Sequence, residues 1–124
     1  MNLWRGLFAF AALWNLAVGG PMLAAAAQVA ERLGISGAAG PFAVAMAGLL
    51  IAVFGVGYAM VAVAPAQNRG IVWIGLIGKV GAATLGALQF VAGIIPASTF
   101  ALGMGDLAFA AAFAAFLWLG PRPA

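Results

Sequence analysis

The sequence predicts an all-α integral membrane protein: a four-helix bundle of antiparallel spans, both termini cytoplasmic, forming one domain over residues 1–124. Three observations predict it. Hydrophobic residues make up 67% of the chain and charged residues 6%, whereas a soluble domain carries about 25% charged residues. No aqueous surface can be built from that supply. The mean hydropathy is +1.20. The apolar residues also fall into four runs, near 7–27, 42–63, 71–95 and 100–119. Each is about the 20 residues needed to cross roughly 30 Å of hydrocarbon, and clusters of Pro, Gly and polar residues separate them.

The first run follows Trp4 and Arg5. A basic flank, an apolar stretch and the small residues Ala24 to Ala27 have the form of a signal peptide; the reading taken here is a retained transmembrane helix, kinked at Gly19-Gly20-Pro21. Asn15 lies near its middle, and Phe8, Ala11, Ala12 and Gly19 share its face at helical spacing. The connection 28–40 carries Glu31 and Arg32 and is expected to prolong the first helix into the headgroup zone until Gly34 closes it.

The second span starts at Pro41, a residue suited to a first helical turn. Gly48, Ala52, Gly55, Ala59 and Ala62 line one stripe, the small-residue surface that lets membrane helices approach closely. Tyr58 borders it. Pro65 stops the helix, and a short polar turn ending in Arg69-Gly70 follows.

The third span contains Lys79. A second small-residue seam is expected at Gly78, Ala82 and Gly86, with Lys79, Ala83, Gly86 and Gln89 on a common side. Pro96 ends this helix, and the tight turn after it makes the third and fourth spans antiparallel neighbours. In the fourth span Asp106 shares a face with Gly103, Ala110 and Ala114, while Phe109, Phe113 and Phe116 form a stripe assigned to lipid.

Orientation follows from the basic residues. The N-terminus, the second connection and the C-terminus hold Arg5, Arg69 and Arg122, while the other side holds Arg32 beside Glu31. Both termini are therefore expected in the cytoplasm, with Trp4, Trp73 and Trp118 forming a belt at cytoplasmic helix ends.

A lysine inside a span costs about 2.5–3.5 kcal/mol on translocon scales, so it needs a partner. At about 1.5 Å per residue, Asn15 and Lys79 each lie about 12 Å deep from the cytoplasmic side and Tyr58 about 8 Å. These three make an inner polar layer. Gln89 and Asp106 lie about 10 Å from the opposite surface and make an outer one. The backbone levels of Lys79 and Asp106 then differ by about 8 Å, much of which a lysine can bridge.

Several classes are excluded. Five basic residues against two acidic ones, a net charge of +3, are too few for a nucleic-acid footprint. The chain has no cysteine and no histidine, so disulfides, thiol redox centres and the usual haem, copper or zinc ligands are missing. Gly78-Lys79 imitates the end of a phosphate-binding loop, but Trp73 stands in place of the first glycine and Val80 in place of the Ser/Thr. No Ser-His-Asp set or carboxylate pair is present, so no enzyme and no cofactor is implied. No internal repeat points to a transporter's inverted symmetry.

Asn15, Gly55-Val56-Gly57-Tyr58, Gly78-Lys79 and Asp106, placed on four spans, resemble the pattern of small bacterial four-helix membrane proteins of the DoxX-like superfamily. The resemblance covers most of the length and implies an inner-membrane four-helix bundle. Some relatives are linked with quinone or thiol redox complexes, and the absence of cysteine sets this chain apart from the thiol chemistry.

Three functions follow as expectations. The first is a structural or interaction subunit in the lipid bilayer, packing with itself or a larger membrane complex through its Gly/Ala seams. The second is a binding module that holds a lipid, quinone or similar apolar ligand against Asn15, Tyr58, Lys79, Gln89 and Asp106. The third is a small transporter or proton path, in which Lys79 and Asp106 titrate in turn.

Overall fold

The computed structural model describes residues 2–124. It contains five helices: α1 (Leu3–Ala24), α2 (Ala26–Arg32), α3 (Gly40–Val63), α4 (Arg69–Val91) and α5 (Ala97–Leu119), with no strand among the described residues. All but α2 are long and apolar enough to cross a membrane. The chain falls into two compact units, one ending at Val63 and the other beginning at Ala64.

In the first unit α1 packs on α3, and α2 also rests on α3. Asn2 caps α1 by accepting from the Arg5 backbone N–H at 3.0 Å, satisfying a first-turn donor. The expected continuation beyond α1 occurs, but as a separate segment. Ala25 leaves the helical region (φ −130°, ψ 45°), and α2 re-forms after it. Gly34, at φ +70°, closes α2, with Ile35 N–H donating to Ala30 and Gly34 N–H to Glu31, the paired bonds of a Schellman turn.

Phe8, Ala11, Ala12, Asn15 and Gly19 form the buried face of α1, as the helical spacing predicts. Opposite them, residue numbers fall along α3 as they rise along α1. Gly55 lies against Ala12, Asn15 and Leu16, and Gly19 against Gly48 and Ala52. A methyl group added to Gly19 would come within 2.6 Å of the Gly48 carbonyl oxygen and 2.7 Å of the Ala52 nitrogen. The backbones therefore meet directly here, as small-residue seams allow. Beyond Gly55 the seam departs from its expected course. Ala59 is exposed, and Tyr58 and Val61 are buried in its stead. The Tyr58 ring packs at tilted angles near Phe8 and Phe54, with centroids 6.3 and 6.1 Å away. Close packing at one end of the pair thus gives way to aromatic packing at the other.

In the second unit α4 packs on α5. Helix α4 begins two residues earlier than expected and ends at Val91 rather than Ile95. The early ending has a local cause: Gly93 adopts φ +75°, and Ile94 and Gly93 donate back to Gln89 and Phe90 in a second Schellman turn. Pro96 then stands at the N-cap of α5, and the Phe90 and Phe100 rings stack across the turn at 4.6 Å.

Two expected faces are corrected here. The buried residues of α4 are Val72, Gly75, Lys79 and Ala83. Gly78 and Ala82 are exposed, and a methyl group added at Gly78 or Gly86 meets nothing within 4 Å. On α5, Phe109, Phe113 and Phe116 are buried rather than turned to lipid. In hydrocarbon a phenyl ring has no solvent-driven reason to face either way. Two of these rings lie against the cations of α4, Phe109 under Lys79 and Phe116 under Arg69, and Phe113 packs beside Phe109.

Candidate functional site

Lys79 sits near the middle of α4, ten residues after Arg69 and twelve before Val91. Asp106 sits nine residues after Ala97 on α5. Measured from their shared turn, the two levels are about 18 and 14 Å, a difference of about 4 Å. The sequence estimate of about 8 Å is larger because it starts both helices late, at 71 and 100 rather than at Arg69 and Ala97. The remaining offset is within a lysine's reach, and Lys79 Nζ donates to Asp106 Oδ1 at 2.8 Å.

The pair is asymmetric. The lysine side chain is 10% exposed and the aspartate side chain 28%. The ammonium also lies 5.0 Å from the centroid of the Phe109 ring, whose negative face attracts a cation. Phe109 is three residues beyond Asp106, so both meet the lysine from one face of α5. Gly75 and Ala83, one turn to either side of Lys79, are buried with it, and their small size leaves room for the amine between the helices. Together the two residues are formally neutral, which is how a charge is tolerated at such depth.

A second cation organises the other end of α4. The Arg69 guanidinium donates to the carbonyl oxygens of Leu117 and Pro121, the latter at 2.9 Å, with a longer contact of 3.5 Å to Gly120. It also lies 5.3 Å from the Phe116 ring centroid. These carbonyls end α5, where intrahelical donors run out and the negative end of the helix dipole lies. Sequence reasoning used Arg69 only as an orientation charge. The available signal was a first-turn arginine facing a helix end that carries no basic residue of its own.

Of the remaining candidates, Asn15 and Tyr58 belong to the first unit and Gln89 to the second. Asn15 is buried between α1 and α3, where its amide donates to the Ile51 carbonyl at 3.1 Å. Gly55 makes this approach possible, because a side chain there would press on Asn15. Tyr58 is buried in the same hairpin, against Phe8. Gln89 is exposed near the end of α4 and takes no part in the Lys79–Asp106 pair. Within the second unit the structure thus joins Lys79 and Asp106 directly and leaves Gln89 exposed, and within the first it buries Asn15 and Tyr58 between α1 and α3.

Comparison of the chain with protein-family models, curated proteins and solved structures finds no match.

Proposed function

We propose that the chain is a small integral protein of a bacterial inner membrane. In this reading its four long helices form an antiparallel bundle with both termini in the cytoplasm. It serves as a structural or interaction subunit that joins copies of itself or a larger membrane complex through small-residue seams. One observation carries the reading: the Lys79–Asp106 bridge ties α4 to α5 at mid-helix while an exposed seam on the same α4, at Gly78 and Ala82, is unused by its own hairpin. Charge is turned inward, and the surface suited to close helix contact is turned outward.

The orientation is supported by the Arg69 contacts, which bring the start of α4 level with the end of α5. Arg69 and Arg122 thus lie at one end of that hairpin, as the positive-inside rule requires of a cytoplasmic face. The apolar character of the exposed residues, among them Leu50, Val53, Ile74, Ile77 and Leu102, fits contact with lipid or with another apolar helix.

Two measurements test the proposal. The chain lacks cysteine, so Ser36→Cys and Ala124→Cys can be labelled singly with an impermeant maleimide. Ser36→Cys should react in intact cells and Ala124→Cys only after permeabilisation. For assembly, the tagged chain extracted in polymer-bounded native nanodiscs should run as a defined oligomer or with a stoichiometric partner, and Gly78→Ile should weaken that assembly. A lone 12.4 kDa monomer would overturn the interaction reading.

A further inference from the structure

The Lys79–Asp106 bridge leaves half of the carboxylate unused. Among the described residues the donor to Asp106 is Lys79, and it engages Oδ1. Among the described residues no buried side-chain nitrogen or oxygen lacks a partner, so Oδ2 is not sealed inside the hairpin but reaches its surface. That surface is open. Gly103, one turn before Asp106 and on its face, has no side chain, and a methyl group added there meets nothing within 4 Å. The next residue on that side, Leu102, is exposed and apolar. Asp106 Oδ2 therefore borders a shelf floored by glycine and edged by hydrocarbon.

We infer that this shelf is a binding site for a neutral hydroxyl group carried on an apolar body, a bilayer-soluble alcohol or phenol whose O–H donates to Asp106 Oδ2. The physical grounds are charge and donor supply. An acceptor left unsatisfied away from water costs about 1–3 kcal/mol, and more when it is charged. At the depth of Asp106, the molecules available from the side are those dissolved in the acyl chains. A cation is disfavoured, because Lys79 already neutralises the carboxylate and a second positive charge would leave the site at net +1 in a low-dielectric medium. A neutral donor carries no such penalty, and its apolar remainder can lie along Leu102. The inference rests on the membrane placement proposed above, which cysteine labelling at positions 36 and 124 tests separately.

Lys79 and Asp106 are the chain's single lysine and single aspartate. Labelling lysine with 15Nζ and aspartate with 13Cγ therefore gives one unambiguous reporter at each end of the bridge. The full chain in phosphatidylcholine vesicles would be titrated with 4-dodecylphenol and, separately, with its methyl ether, which has the same body and no donor. The expected result is a saturable shift of the Asp106 13Cγ resonance with the phenol and none with the ether. Gly103→Leu, which fills the shelf, should abolish the shift while the dipolar coupling between the labelled nitrogen and carbon persists. Equal shifts from phenol and ether, no shift from either, or a shift that survives in Gly103→Leu would overturn the assignment. The comparison of phenol with ether stands by itself should Gly103→Leu lose the coupling.

Discussion

Lys79 on α4 and Asp106 on α5 meet nitrogen to oxygen at 2.8 Å, with the Phe109 ring beneath the ammonium. Removing either charge strands the other inside the hairpin. A buried pair broken on one side costs about 3–5 kcal/mol, whereas replacing both members with apolar residues of similar volume is often neutral or stabilising. Lys79→Met and Asp106→Leu should therefore each destabilise strongly, and the double variant should recover most of the loss. Unfolding in mixed micelles, run as a double-mutant cycle, measures this. A double variant as unstable as the sum of the singles would show that the two side chains act independently.

The ring beneath the ammonium makes its own prediction. Phe109→Leu keeps the apolar volume but removes the aromatic face. Cation–π contacts contribute about 0.5–1 kcal/mol when exposed and about 2 kcal/mol or more when desolvated, so the variant should lose about 1–2 kcal/mol. In the Lys79→Met background the same substitution should lose much less. Equal losses in both backgrounds would reduce Phe109 to packing alone.

These two residues show what could be read from the chain and what could not. The spans, their count and the pairing need of Lys79 were legible because length, hydropathy and charge are one-dimensional properties. The buried face of α1 was legible too, since Asn15 marks a polar inside among apolar neighbours. The inward turn of Phe109, Phe113 and Phe116 was not: lipid and protein interior are equally apolar, so periodicity does not tell one from the other. The seam expected on α4 at Gly78, Ala82 and Gly86 missed the buried face for the same reason. Gly75 and Gly78 are identical residues less than a turn apart, yet one is buried and the other exposed. Gly75 lies one turn before Lys79 and shares its inward face, whereas Gly78, adjacent to Lys79, points about 100° away.

The glycines themselves give a sharp contrast. A methyl group on Gly48 would lie 2.6 Å from Met22 Cβ and 2.8 Å from the Leu23 nitrogen, whereas one on Gly78 meets nothing. Gly48→Ala should push α1 and α3 apart at an overpacking cost of about 1–3 kcal/mol. Gly78→Ala should leave its hairpin unharmed or stabilise it by about 0.5–1 kcal/mol through a stiffer unfolded chain. Unfolding midpoints of the two variants decide the matter, and a Gly48→Ala protein as stable as the parent would contradict the close approach of α1 to α3.

Arg69 provides the last test, because its work is done far along the chain from where it sits. Its guanidinium serves the Leu117 and Pro121 carbonyls and rests on Phe116. Those carbonyls have no intrahelical donor, and a charged hydrogen bond contributes about 1.5–3 kcal/mol. Arg69→Gln keeps a donor but shortens the reach and removes the charge, so the end of α5 should fray while the rest of the hairpin holds. Amide exchange at Leu119 and Gly120, the latter bonded to the Phe116 carbonyl, should rise at least tenfold, with exchange near Asp106 unchanged. Arg69→Lys should restore only part of the protection, since a single ammonium cannot reproduce the fork that spans two carbonyls and a ring. If the lysine variant protects the end of α5 as fully as arginine does, charge at the helix terminus alone accounts for the effect and the fork geometry does not matter.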